Sequence, residues 1–302
     1  MKNKILALSS IAAFFAASAF AADFASAAHP KGEVKIPLNP ARVAVLDYGS
    51  LDTLDALGVR AKLALPKKNL PSYLAKFKGG EYVDIGGVKE FNLETINAFK
   101  PDFIIISGRQ QDYYEELSAI APVYLVNSVA KDQLAEGEKN IKFFGKVFGL
   151  EKEAGKAVAE IGAAVSKTRE KAQKCGMKAL VLLTNDGKIS AYGSGSRFGI
   201  IHDALGMRQA DPRIKAGIHG QLVNYEYIAV ANPDIIFVVD RSAAIGVRTK
   251  GARLLDNALV AKTSAAKNGR IIMLDPECWY LSGGGIESLK KMVSEVGAAI
   301  SR

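Results

Sequence analysis

The sequence predicts an α/β protein built as two doubly wound lobes joined by one long helix, and three observations carry that prediction. Short unbroken apolar runs rich in Val and Ile alternate with segments of helical spacing, the pattern of parallel strands buried on both faces and covered by helices. The alternation is broken once, over residues 132–174, by a stretch of Ala, Glu, Lys and Val with helical spacing interrupted only around Gly149. The chain before this break also resembles the chain after it. Residues 96–109 read INAFKPDFIIISGR and residues 228–241 read IAVANPDIIFVVDR, each a helix end, a Pro-Asp turn, an apolar strand and an arginine. Asp55-Ala-Leu-Gly58 recurs as Asp203-Ala-Leu-Gly206, and two matching elements in the same order indicate a duplicated lobe.

Taken in order, the chain opens with a signal peptide over residues 1–21. Lys2 and Lys4 precede the uncharged apolar run Ile5–Phe20, and Ala19-Phe20-Ala21 supplies the small-x-small cleavage pattern. The run falls short of the roughly 20 residues that span a bilayer. Cleavage near Ala21, with no lipidation cysteine beside it, is expected to release a soluble periplasmic protein. Residues 22–36 then read as an N-terminal tail.

The first lobe is expected over 37–150. Val43–Asp47 is a strand leading into a helix that Ser50 can N-cap and Gly58 can stop. Phe103–Ser107 is a strand, Asp112–Ile120 a helix and Val123–Val126 another strand. The linking helix occupies 151–175, and its proline-free part Lys152–Lys174 makes about six turns. The second lobe occupies 176–302. Here Ala179–Leu183 is turned back by Asn185-Asp186-Gly187 into Ile189–Tyr192, and Ile235–Val239 and Ile271–Leu274 follow.

Composition narrows the function classes. The chain has 302 residues and an apolar fraction of 49%, enough for two filled cores. Its formal charge of +9 suits an anionic partner. The basic residues are scattered and the chain is exported, so no nucleic-acid partner is expected. Lys67-Lys68 and Lys290-Lys291 read as solvated faces. The two cysteines, Cys175 and Cys278, have no metal-binding spacing. They are expected to stay unpaired, because they fall at opposite ends of parallel strands. No Gly-x-Ser-x-Gly elbow follows a strand, which argues against a secreted Ser or Cys hydrolase.

Ligands of open parallel sheets bind outside the carboxyl ends of the strands. That rule selects Tyr48 after the first strand, Arg109 after Phe103–Ser107, Asp240-Arg241 after Ile235–Val239, and Tyr280 within Asp275-Pro-Glu-Cys-Trp-Tyr280. Arg197 lies in Gly193-Ser-Gly-Ser-Arg197, read as a flexible loop before a helix over Phe198–Leu205. Each arginine could instead pair with a local carboxylate. Placement at strand ends in both lobes favours an anion site for Arg109 and Arg241, since guanidinium offers planar donors to oxygen anions and stacks on aromatic faces. Of the three histidines, His29 falls in the tail with no role expected and His202 reads as packed on a helix. His219 sits between glycines in Gly217-Ile-His-Gly220. One loop histidine and a tyrosine cannot hold a bare ion, but they can complete the shell of one already chelated.

Five ordered segments resemble a known family: Ile104–Gln110 (IISGRQ within it), Ser196–Asp203 (SRFGIIHD), Gly217–Gly220 (GIHG), Phe237–Arg241 (FVVDR) and Asp275–Leu281 (DPECWYL). They resemble the periplasmic siderophore-binding proteins of ABC importers, most closely the CeuE type, over about Pro37 to Ile300. The resemblance implies two Rossmann-like lobes on a backbone helix, the class III periplasmic binding protein fold. It implies no catalysis and no intrinsic cofactor, with Fe³⁺ carried only as a siderophore complex. The cargo would be a ferric catecholate such as a linear enterobactin fragment. Arg109, Arg197 and Arg241 would line the anion pocket, and His219 and Tyr280 would bind iron directly. The partners would be the ferric siderophore and an inner-membrane ABC permease, with the protein a monomer. A haem or corrinoid carrier on the same scaffold is the alternative within the class.

Overall fold

The structure is a computed structural model that describes residues 23–127, 132–214, 217, 219–247 and 254–301. Residues 1–21, expected as a signal peptide, lie outside the described residues. Strands are numbered β1–β13 along the chain.

The N-terminal lobe is a five-stranded, wholly parallel sheet in the order β5-β4-β3-β6-β7. Its strands are β3 (Arg42–Val45), β4 (Lys62–Leu65), β5 (Val83–Asp84), β6 (Phe103–Ile106) and β7 (Val123–Leu125). Strand order reverses between β3 and β6, so the crevice of this lobe opens at their carboxyl ends, beside Asp47 and Arg109. The C-terminal lobe has β8 (Lys178–Asn185), β9 (Lys188–Tyr192), β10 (Arg208–Gln209), β11 (Gln221–Val223), β12 (Ile235–Asp240) and β13 (Ile271–Met273). Its sheet runs β11-β9-β8-β12-β13, with β10 pairing to the start of β8. Here β9 and β11 are antiparallel to their neighbours. The β8–β9 reversal is made by Asp186 and Gly187, both at positive φ (46° and 78°), the primed turn that an Asp-Gly pair favours.

The linking helix spans Glu151–Cys175 and ends on Gly176 at φ 64°. Its buried residues Ala154, Ala157, Ile161, Val165, Thr168 and Ala172 recur every three or four positions, so one stripe faces inward. That stripe packs on the helix Gln133–Val147 and on the C-terminal helix Ile286–Ala299. Small residues allow the close approach: a Cβ on Gly297 would stand 3.1 Å from the Thr168 hydroxyl. The largest apolar core is continuous through these helices. It joins Val43, Ile105 and Tyr124 of the first lobe to Val181, Phe237 and Leu274 of the second.

Polar contacts also tie the lobes. Asp52, on the helix Tyr48–Ala56, is 1% exposed and accepts the backbone N–H of Glu287 and Ser288 at 3.1 and 2.8 Å. A first-lobe carboxyl thus caps the start of the C-terminal helix. Ser72 donates to Glu277 through both its backbone N–H and its hydroxyl, and the Tyr73 hydroxyl donates to Ser282.

The structure departs from the sequence reading at several places. Residues expected as a loose tail form an antiparallel hairpin, β1 (Phe24–His29) with β2 (Gly32–Pro37). The cross-strand pair Ala25 and Ile36 is fully buried on the first lobe, and His29 is buried against Tyr114 and Tyr124. The first helix is capped by Asp47 rather than Ser50. Asp47 accepts the Ser50 N–H at 2.8 Å, so the helix begins at Tyr48. The helix expected over Phe198–Leu205 is confined to Ile200–Asp203.

Candidate ligand-binding site

Residues at the strand ends of both lobes converge on Tyr280. This tyrosine lies in Glu277–Leu281, one turn of π-helix, and its carbonyl belongs to the last turn, where a helix leaves carbonyls without intrahelical partners. The Tyr280 carbonyl accepts from Arg109 Nη2 at 2.7 Å and from Arg197 Nη2 at 2.6 Å. Its phenol oxygen accepts from Arg241 Nε at 2.8 Å. The guanidinium carbons of Arg197, Arg241 and Arg109 lie 4.2, 5.7 and 5.9 Å from the ring centroid. The first-lobe residue Arg109 therefore reaches across to the same ring that two second-lobe arginines hold.

Each arginine is positioned by its local fold. Arg109 rides on the turn Ser107–Gln110, which is pinned by the fully buried Gln110. Its side-chain oxygen accepts from the Ser107 N–H and hydroxyl, and its nitrogen donates to the carbonyls of Leu46 and Val88. The Gly193–Arg197 segment, expected as a flexible loop, is tied down. Asp203 accepts from the Gly195 N–H at 2.8 Å and from the Ser194 hydroxyl, and Gln209 accepts the Ser194 N–H. Arg241 begins the turn capped by Asp240, and its Nη1 donates to Asn185 Oδ1 at 2.8 Å across β8 and β12.

The charges act on Tyr280. Burial pushes its phenol up, but the Arg241 hydrogen bond and the charges of Arg197, Arg241 and Arg109 outweigh burial, holding it below the ordinary phenol range. Burial and the neighbouring Arg109 charge lower the pKa of Arg197 from its ordinary value. A cavity of about 200 Å³ opens beside this cluster, lined by Tyr280, Arg197, Arg241, Asn185, Lys188 and the exposed His219 among others. His219 thus shares a cavity with Tyr280, while Ile218 beside it lies outside the described residues. No group of three or more His, Cys, Asp or Glu side chains suited to an ion occurs among the described residues.

Tyr48 does not join the site. It is 1% exposed, and its hydroxyl donates to the carbonyls of Lys68 and Pro66 at 2.8 and 3.4 Å. Because Asp47 is the cap, Tyr48 falls in the first turn of the helix and turns into the core rather than the cleft. Cys278 and Trp279 flank Tyr280 but are buried at 5% and 2% exposure. Burial raises the Cys278 thiol above its usual range, which suits a packed residue rather than a nucleophile. Sequence reasoning assigned no role to Gln110, Asp203, Asn185 or Lys188. Only the Asn185-Asp186-Gly187 turn drew attention to Asn185, and it marks a hairpin rather than a site.

The fold and this cluster define a two-lobed α/β binding protein with a cationic cleft between its lobes. The sequence profile of the periplasmic binding protein family matches residues 43–278. The chain belongs to that family. It is 45% identical over 268 residues to the petrobactin-binding protein YclQ of Bacillus subtilis, covering 88% of this chain and 84% of that one. The crystal structure of YclQ superposes with a TM-score of 0.89 over 93% of this chain and 99% of that one. The ferric-anguibactin-binding protein FatB of Vibrio anguillarum is 35% identical, covering 89% of this chain and 85% of that one. The periplasmic catecholate-siderophore binding protein VctP of Vibrio cholerae is 30% identical in sequence. It matches with a TM-score of 0.85 over 91% of this chain and all of that one.

Proposed function

We propose that this protein captures a ferric siderophore of the catecholate type in the periplasm and passes it to an inner-membrane ABC permease. The observation that carries the reading is the convergence of Arg109, Arg197 and Arg241, from both lobes, on a phenol held below its ordinary range beside His219. Catecholate oxygens are hard, anionic and attached to an aromatic ring. Guanidinium meets both features, donating to oxygen and stacking on the ring. Fe³⁺ takes six donors, so a tetradentate bis-catecholate leaves two positions. A phenolate from Tyr280 and an imidazole from His219 fill them with ligands that iron accepts. The names of the relatives, which bind petrobactin, ferric anguibactin and catecholate siderophores, support the same cargo class.

The test is a visible titration of the protein with a ferric bis-catecholate, read together with the fluorescence of Trp279, the one tryptophan in the chain. Quenching with a shift of the catecholate-to-iron charge-transfer band is expected as protein donors enter the shell. Quenching without a shift would reject His219 and Tyr280 as iron ligands. Saturable binding of haem in place of the catecholate complex would reject the siderophore reading itself.

A further inference from the structure

One wall of the cavity is a face of the second-lobe sheet. Side chains alternate along β9, so Lys188, Ser190 and Tyr192 face the cavity while Ile189 and Ala191 enter the core behind. Asn185 and Leu183 of β8 stand directly across from Lys188 and Ser190, and Leu222 of β11 pairs with Ser190. Lys188 lies at the hairpin tip, roughly 13 Å along the strand from Tyr192, the residue that leads into the Arg197 loop. It is exposed, and among the described residues its ammonium makes no ion pair or hydrogen bond. Among the described residues no Asp or Glu lines this cavity.

The charge count is the decisive feature. An iron(III) ion wrapped by two catecholates carries one net negative charge, and a coordinated tyrosinate adds one more. Against these stand Arg109, Arg197, Arg241 and Lys188, leaving a positive surplus that the iron centre alone does not neutralise. Resting on the siderophore reading above, we propose that Lys188 is a specificity residue that reads a carboxylate carried on the siderophore outside its iron-binding groups. Chemistry and position fit this role: an ammonium has no lone pair to give iron, and Lys188 stands at the exposed hairpin rim of the cavity it shares with Tyr280, bordering the space where the linker between catechols must lie. A compact ammonium on a flexible stem suits a single carboxylate at variable reach better than a planar guanidinium does. The 68% exposed Leu222 gives that linker an apolar shelf beside it.

The test uses two ferric bis-catecholates that differ only in a linker carboxylate or its methyl ester, titrated into the wild-type protein, Lys188→Gln and Lys188→Arg by Trp279 quenching. The wild type should prefer the carboxylate by about fivefold, the scale of one solvent-exposed ion pair. Lys188→Gln should bring the ratio to about one, and Lys188→Arg should restore most of it. An unchanged ratio in Lys188→Gln would overturn the assignment, including the case in which both complexes weaken equally. Failure of the wild type to bind either complex would instead overturn the siderophore reading, and Lys188 with it.

Discussion

Arg241 donates through Nε to the phenol oxygen of Tyr280 at 2.8 Å. The same guanidinium is anchored through Nη1 on Asn185 at 2.8 Å, so its direction is fixed before any ligand arrives. A phenol must lose its proton to bind Fe³⁺, and a fixed charge-assisted donor favours the ionised form. Arg241→Gln should therefore raise the Tyr280 pKa. Ultraviolet difference titration of Arg241→Gln with and without Tyr280→Phe isolates this one phenol. An unmoved pKa would mean that Arg197 and Arg109 set it alone. Binding of a ferric bis-catecholate should weaken by about 1–3 kcal/mol, the range for hydrogen bonds to charged groups.

Denticity separates direct iron ligation from mere proximity. A tetradentate complex needs two protein donors, whereas a hexadentate one already fills its shell. His219→Ala and Tyr280→Phe should weaken the tetradentate complex far more than the hexadentate one. Isothermal titration with a matched pair measures the difference. Equal losses for both complexes would reject direct coordination.

The arginine cluster was legible because two signals coincide at Arg109 and Arg241. A Pro-Asp turn fixes where each strand starts, and an unbroken apolar run fixes where it ends. Tyr48 carried the same strand-end signal and yet lies in the core. The difference is a cap: Asp47 and Ser50 are both good N-caps, and which one acts decides whether residue 48 belongs to a loop or a helix. The hairpin at residues 24–37 was hidden because Ala and Ser alternate weakly and Pro30 and Gly32 read as breakers. Gln110 was illegible for another reason. Its partners Leu46 and Val88 are 64 and 22 residues away, and only the tertiary fold brings them together.

Gln110 yields a prediction of its own. Gln110→Ala would leave the Ser107 N–H and hydroxyl and two carbonyls without their partner, at a cost of about 1–3 kcal/mol for a buried unsatisfied group. Chemical denaturation should show that loss. Affinity for ferric bis-catecholate in the folded fraction should also fall, because the turn that carries Arg109 loses its pin. Full affinity alongside lost stability would confine Gln110 to a structural role.

Asp52 should make stability depend on pH. Burial outweighs the hydrogen bonds from Ser288 and Glu287 and raises its pKa to about 6. The folded chain then binds the proton more tightly than the unfolded chain, whose Asp titrates near its ordinary value of about 4. Stability from this group is complete below pH ~4 and falls as pH rises to about 6, by roughly 3 kcal/mol in all. Asp52→Asn mimics the protonated side chain at every pH. The variant's stability relative to wild type should therefore rise between pH 4 and 6 and level off above. A flat difference across that window would show that Asp52 is ionised throughout, as its place at the start of a helix would allow.

The cysteines test the sheet itself. Cys175 ends the linking helix five residues before Leu180 of β8, and Cys278 lies five residues beyond Met273 of β13. Leu180 and Ile271 both pair with Ile236 of β12, so β8, β12 and β13 run in one direction, and the two cysteines fall at opposite rims. Even a five-residue strand separates those rims by roughly 16 Å, whereas a disulfide needs Cα atoms within about 7 Å. Both thiols are free in the structure, and they differ in access. Cys175 is half-buried, while Cys278 is 5% exposed with its thiol pushed up by burial, then by the nearby Asp275 and Glu295 carboxylates. Titration of the unreduced, denatured protein should find two thiols per chain. In the native protein one should react promptly and the other only as fast as the π-turn opens, because the thiolate is the reacting species and burial suppresses it. Alkylation of the slow thiol should abolish siderophore binding, since Cys278 lies two residues before Tyr280 on the turn that carries it. Two equally fast native thiols would mean that the turn is open in solution, and zero thiols in denaturant would overturn the parallel packing.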